Sequence, residues 1–240
     1  MALPSPVRAD TNIVTQTLQD GAFLATSPLR LHKEDIPVGI GVLAILGGGF
    51  AVDRLTRRNL FLHENDPAAK DLRQYGDVAQ FSGLIFGAGF AVHSLATDDQ
   101  KSKETAWLAA ESLGWATGIG GVAKVVVGRE RPSMTDDPFQ FKMFSSNVSF
   151  PSGHTTAAFA AADVFSEQYP TWKVIAPAYV AATAVGFSRL YANQHWVSDV
   201  VAGALLGTAV SHTLRKRRHQ VDKGWHFTAG PQGIQISRQF

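Results

Sequence analysis

Six apolar stretches recur along this chain at even intervals, at residues 36–52, 78–96, 105–128, 155–165, 174–187 and 200–214. Each is longer than an ordinary strand, and the Ala-rich runs among them favour helix over sheet. Asp-Pro at 66–67 and 137–138, Tyr-Pro at 169–170 and several charge clusters separate them, and these are turn and helix-stop signals. Helices joined in this way pack as an antiparallel bundle. The expected fold is therefore all-α: an N-terminal approach segment over 1–35, partly helical, and then a six-helix bundle domain over 36–218. Residues 219–240 read differently. Trp225-His-Phe-Thr-Ala229 and Ile234-Gln-Ile-Ser alternate with period two across a Gly-Pro-Gln-Gly turn, which predicts a short C-terminal β-hairpin.

At 240 residues the chain can bury a sizeable core without staples. It has no cysteine, which excludes disulfides, a thiolate nucleophile and Cys-ligated zinc. The net charge of +2 is too small for a typical nucleic-acid binder, whose basic excess is larger and segregated. One basic run, Arg215-Lys216-Arg217-Arg218, reads as the polar end of the last helix, with phosphate or lipid-headgroup contact as the other reading. The N-terminus, Met1-Ala-Leu-Pro-Ser-Pro, lacks the charged start and apolar run of a signal peptide. Insertion through internal helices and a trimmed leader both remain open.

A membrane-spanning helix needs about 20 mostly apolar residues. The first two stretches come close, although the second contains His93. The third contains Glu111, the fourth reaches Asp163 and Glu167, and the last two are short. Mean hydropathy is −0.01, low for six spans. Composition alone leaves a membrane bundle and a soluble one about equally open.

Most of the polar information lies in three short segments, each at a helix end. The first is Lys124-Val-Val-Val-Gly-Arg-Glu-Arg131-Pro132, closing the third helix. The second is Phe150-Pro151-Ser152-Gly153-His154-Thr155, opening the fourth. The third is Ser188-Arg189-Leu-Tyr-Ala-Asn-Gln-His195-Trp-Val-Ser-Asp199, between the fifth and sixth.

Pro-Ser-Gly before a helix leaves backbone N–H groups pointing outward at the positive end of the helix dipole. With the Ser152 hydroxyl they form an anion cradle, and Gly153 lets the backbone approach an oxyanion closely. The plain alternative is a Ser N-cap. His195 and Asp199 stand four apart, so on one helical turn they share a face. The carboxylate can accept from Nδ1–H and leave Nε2 as a nucleophile or base, the plain alternative being a surface ion pair. Arg189 adds a planar fork suited to phosphate oxygens, and Lys124 and Arg131 add two more cations. In an antiparallel bundle, the ends of helices three and five and the starts of four and six fall on one side. The topology therefore predicts that the three segments meet.

Together, Lys124-x₆-Arg131-Pro132, Pro151-Ser152-Gly153-His154 and Ser188-Arg189-x₅-His195-x₃-Asp199 resemble the signature of the type 2 phosphatidic acid phosphatase and vanadium haloperoxidase superfamily. The resemblance covers about residues 36–214 and has no departure at a signature position. It implies that His195 attacks phosphorus and forms a phosphohistidine. Asp199 would then hold the His195 tautomer, and His154 would protonate the leaving oxygen and later activate water. Lys124, Arg131, Arg189, Ser152 and Gly153 would hold the non-bridging oxygens. No metal is implied; vanadate or phosphate is expected to bind the same site.

The leading functional expectation is a metal-independent phosphatase acting on a monoester or diphosphate, with a lipid phosphate or polyprenyl diphosphate as substrate and a membrane as partner. A nonspecific acid phosphatase on soluble esters comes second. A vanadium-dependent haloperoxidase or a non-enzymatic membrane scaffold comes behind both. The resemblance shifts the location toward the inner membrane, with the site facing the periplasm or outer leaflet. A periplasmic or outer-membrane form is the alternative if a leader was removed. His32, His63, His93, His212, His219 and His226 fall outside the constellation and read as structural or solvated. Phe139, Phe141, Met143 and Phe144 precede the cradle, and their readings are loop packing or contact with a lipid tail.

Overall fold

A computed structural model of the chain describes residues 13–30, 32–59, 67–79, 82–222, 225–230 and 233–238. The body is helical: α1 (Ile13–Thr26), α2 (Ile36–Asn59), α3 (Pro67–Ala79), α4 (Ser82–Thr97), α5 (Gln100–Val127), α6 (Gly153–Gln168), α7 (Trp172–Tyr191) and α8 (Val197–Asp222). Two 3₁₀ turns, Ser27–Arg30 and Lys33–Asp35, lead from α1 into α2.

The expected count of six helices is corrected to eight among the described residues. Of the two additions, α1 lies in the approach segment expected to be partly helical, and α3 shares only residues 78–79 with a long apolar run. In α3, Pro67 occupies the first helical position, where its missing N–H costs nothing. Leu72, Tyr75 and Ala79 follow at helical spacing of three and four. This signal is periodic rather than continuous, so a search for apolar runs passes over it. Nor is α1 only an approach to the bundle. Leu24 is buried in the core, and Gly21 lies so close to the Trp115 indole that a Cβ there would meet ring carbons at 2.2 Å.

At the centre lies α6, which packs on α5, α7 and α8. Its small side chains explain the position. Ala160, Ala161, Val164 and Phe165 meet Leu108, Ala109 and Ala116 of α5 and Val210 and Leu214 of α8 in one cluster. On another face Ala158 and Ala162 meet Ala182 and Val185 of α7. Closest approach is to α8. A Cβ at Gly203 would lie 2.5 Å from the Ser152 carbonyl oxygen, and one at Gly207 would lie 2.2 Å from that of Thr156. Two glycines one turn apart thus let the backbones nearly touch, the usual device of helices packed through small residues.

Among the described residues, three helical segments are long and apolar enough to cross a membrane: Lys33–Thr56, Trp172–Tyr191 and Val197–Arg218. This reverses part of the sequence-based expectation. The sixth apolar run is short in sequence because its helix continues through polar residues at both ends. The run at 78–96 is long because it bridges two helices, α3 ending at Ala79 and α4 starting at Ser82. Along α2, Val38, Ile40, Leu43 and Ile45 are exposed, as are Trp172, Val180 and Phe187 on α7. Large contiguous apolar surface of this kind marks contact with lipid or a partner.

Past α8, β1 (Trp225–Gly230) pairs antiparallel with β2 (Gly233–Arg238), Trp225 opposite Arg238. The Pro231-Gln232 turn and residues 1–12 lie outside the described residues.

Replacing Gly207 with Val forces a side chain into the Thr156 carbonyl. Backbone yields less readily than a rotamer, so the cost should reach the upper part of the roughly 1–3 kcal/mol range for overpacking. Thermal unfolding in detergent measures it, and an unchanged midpoint would contradict the close approach of α6 and α8.

Candidate active site

The last turn of α5 begins the site. Its C-cap, Gly128, has φ of 60° and donates its N–H to the Lys124 carbonyl at 2.9 Å. A Cβ there would lie 1.7 Å from the Lys142 carbonyl oxygen, so only glycine lets the chain leave the helix in this direction. The 129–152 connection is then tied back on itself. Lys142 N donates to the Gly128 carbonyl at 2.8 Å and Ser149 N to the Arg129 carbonyl at 3.1 Å.

Lys124 points across this connection. Its Nζ donates to the carbonyls of Val148 at 2.7 Å and Pro151 at 2.6 Å, bracketing the approach to α6. Gly153 opens α6, and a Cβ there would lie 3.6 Å from Lys124 Cε. Ser152 occupies the N-cap position, but its side chain makes no cap bond. Its N–H donates to the Asp199 carbonyl at 2.9 Å, and its Oγ accepts from Thr155 Oγ1 at 2.9 Å. The plain N-cap reading of Ser152 is therefore not what its hydroxyl does. His154 follows on the first turn of α6, with Nε2 shielded from solvent.

The connection from α7 to α8 supplies the rest. Arg189 is buried, its Nε 3.2 Å from Ser188 Oγ, and its carbonyl accepts from Gln194 N at 3.0 Å. Arg131 Nη1 donates to Gln194 Oε1 at 2.6 Å. His195 is only 3 % exposed, and its Nδ1 lies 3.5 Å from Asp199 Oδ2. That oxygen already accepts from Ser149 Oγ at 2.6 Å and from Trp196 N at 2.9 Å, which keeps the carboxylate aimed at the imidazole. Trp196, wholly buried, donates Nε1–H to the Glu130 carbonyl at 2.9 Å and walls this side.

All three polar segments thus converge at one end of the bundle: Lys124 on Pro151, Ser152 on Asp199, Arg131 on Gln194. Burial pushes the His195 imidazole below its ordinary value, against the pull of Asp199. A neutral ring at pH 7 has a free nitrogen lone pair. Burial likewise pushes Lys124 down to about 8, Asp199 opposing the shift and Arg131 adding to it.

Sequence reasoning missed Arg129, Ser149 and Gln194. Gln194 adjoins His195, but its amide role depends on Arg131, 63 positions earlier. Ser149 and Arg129 stood in or beside motifs, yet nothing in the spacing distinguished them from loop residues. Asp53 of α2 was also missed. It reaches Ser198 N with Oδ1 at 2.9 Å, a contact across 145 positions that no local pattern announces.

Fold and site together define a helical bundle that gathers a His–Asp pair, buried cations and a helix N-terminus at one end, the equipment of an oxyanion-handling protein. Residues 105–221 match the model of the PAP2 superfamily. The chain is 30% identical over 163 residues to a lipid A 1-phosphatase of Rhizobium etli, covering 60% of this chain and 69% of the relative. It is 36% identical over 118 residues to a lipid A 1-phosphatase of Porphyromonas gingivalis, covering 46% of this chain and 24% of that one. An undecaprenyl-diphosphatase of Sulfolobus acidocaldarius is 32% identical over 94 residues, covering 39% of this chain and 45% of the relative. The chain thus spans less than half the length of two of these three. This protein belongs to the PAP2 superfamily.

Lys124 should set an alkaline limit on anion binding. It is charged below about pH 8 and neutral above, so affinity for inorganic phosphate falls as pH rises through that value. Lys124→Arg, whose guanidinium stays charged, should move the limit upward. Phosphate binding followed by calorimetry from pH 6 to about 10 checks both; an unshifted limit in Lys124→Arg would assign it to another group.

Proposed function

We propose that this protein is a phosphatase that hydrolyses a phosphate monoester or diphosphate carried on a lipid, through a phosphohistidine on His195. The observation that carries the reading is the buried His195–Asp199 pair, 3.5 Å apart, facing the Lys124-held start of α6. With Nδ1 turned to the carboxylate, Nε2 is the nitrogen left to attack.

Phosphoryl transfer asks a protein mainly for alignment and charge. In the first step a bond forms between His195 Nε2 and phosphorus while the bond to the leaving oxygen breaks. His154 gives that oxygen its proton. Asp199 offsets the charge that develops on the imidazole. In the second step His154 takes a proton from water as its oxygen bonds to phosphorus, the P–N bond breaks, and phosphate leaves. Lys124, Arg131 and Arg189, with Ser152 and the Gly153 N–H, hold the non-bridging oxygens. Every proton is accounted for by His154 and water, so the scheme calls on no metal.

The lipid part of the reading rests on the relatives named above and on the apolar outer surfaces of α2 and α7. Phosphatidate, phosphatidylglycerophosphate and polyprenyl diphosphate all carry the required group. Asp53 ends the apolar run of α2 and reaches the residue beside Asp199. This contact supports a site at the level where that helix turns polar, so that a headgroup reaches it while the tail stays in lipid. An inner-membrane location facing the periplasm or outer leaflet completes the proposal.

Phosphate release from a phosphatidate, a phosphatidylglycerophosphate, a polyprenyl diphosphate and p-nitrophenyl phosphate, with EDTA present, tests the reading. One lipid should be preferred, and His195→Ala should abolish its turnover because the covalent route disappears. Lys124→Ala should lose on the order of a hundredfold in kcat/KM, the worth of one transition-state charge contact. Better turnover of the soluble ester would favour the acid-phosphatase reading, and silence on all four would sink both.

A further inference from the structure

One buried cation plays no part in the scheme above. Arg129 is 0 % exposed, and each of its five N–H groups has an acceptor. Nε donates to the Pro138 carbonyl at 2.9 Å. Nη1 donates to Ser198 Oγ at 2.5 Å and Asp199 Oδ1 at 2.6 Å. Nη2 donates to Asp53 Oδ2 at 2.7 Å and again to Pro138 at 2.6 Å. No N–H is left for a phosphate oxygen, so Arg129 is not a substrate ligand. Asp53 is as deeply buried and accepts from Ser198 Oγ at 2.6 Å as well as from Ser198 N. The rings of Phe50, Phe141 and Trp196 stand 5.0, 5.3 and 5.3 Å from the guanidinium carbon and close the compartment.

We propose that Asp53 and Arg129 are positioning residues for the chemistry at His195, an inference that rests on the phosphatase reading. Arg129 grips one oxygen of Asp199 while Ser149 and the Trp196 N–H grip the other, so the carboxylate cannot rotate away from the imidazole. Asp53 has a second, electrostatic part. A guanidinium bonded to Asp199 alone would draw the carboxylate's charge away from His195. Sharing it with Asp53 leaves the three groups with a net negative charge, which supports the imidazole as it becomes cationic. α2 thereby contributes to the geometry of a reaction none of its own side chains touches.

The test is Asp53→Asn, which keeps the shape and the acceptor for Ser198 N but removes the charge. Kinetics use the lipid that the wild type turns over best, with melting temperature recorded alongside. The expected result is a ten- to hundredfold fall in kcat, about the effect of losing an outer group that orients a working histidine. KM should stay within about threefold, because no substrate contact is lost. A folded Asp53→Asn protein with wild-type kcat overturns the proposal. If that variant does not fold, Ser198→Ala, which removes the hydroxyl bridging Arg129 and Asp53 but leaves their direct ion pair, should lower kcat by a smaller factor, and an unchanged kcat overturns the proposal. Nitrogen NMR of the His195 ring separates this inference from the reading it rests on. A shift from Nδ1–H toward mixed tautomers in the variant supports positioning even without turnover, and an unchanged tautomer overturns it. Absence of turnover in the wild type overturns the phosphatase reading itself.

Discussion

Burying a carboxylate is the constraint around which this end of the bundle is organised. Asp199 is wholly inaccessible to solvent, and an ion in that position costs several kcal/mol unless its oxygens are satisfied and its charge is offset. The groups around it come from three places in the chain. Arg129 and Ser149 lie in the α5–α6 connection, Trp196 and His195 precede α8, and Asp53 of α2 acts through Arg129. Once these are assembled, the ends of α5 and α7 and the starts of α6 and α8 have no freedom to part. The polar cluster that serves the proposed chemistry is also what closes the fold there.

Small residues make the assembly possible from the other side. Gly203 and Gly207 of α8 bring it against the first turns of α6, so Ser152 N can reach the Asp199 carbonyl. The first turn of α6 and the histidine–carboxylate pair before and at the start of α8 are thereby set at one level. Lys124 then ties down the loop that leads into α6, through the carbonyls of Val148 and Pro151. Tight packing in the body and polar bonding at the end are consecutive steps of one construction, in which a displacement in either is felt in the other.

The same bundle shows two kinds of surface. Its middle is lined with alanine and closes tightly around α6, whereas α2 and α7 present large apolar side chains outward. A mean hydropathy of −0.01 averages these apart. The buried serines, threonines and ion pairs of the interior lower it, and the outward apolar flanks raise it. Whole-chain composition is therefore a poor guide to the surroundings of this protein, while exposure resolved helix by helix is informative.

Much was legible in the sequence by itself. Apolar runs, helix-stop residues and the even spacing between them determined an all-helical body, because helix formation and burial are largely local choices. The three polar motifs determined which polar side chains lie at helix ends and, through antiparallel topology, that they share one end. A periodic but discontinuous signal hid α3, the partly helical approach expected over 1–35 left the core role of α1 unseen, and flanking polar residues hid the true length of α8. Only the tertiary structure decided which neighbours hold the motif residues in place. Arg129 resembles in sequence any other arginine after a helix, and Asp53 the polar end of an apolar run. Their partnership spans 76 positions. Such a contact depends on how α2 leans against α8, which is settled by packing distances that no local pattern encodes.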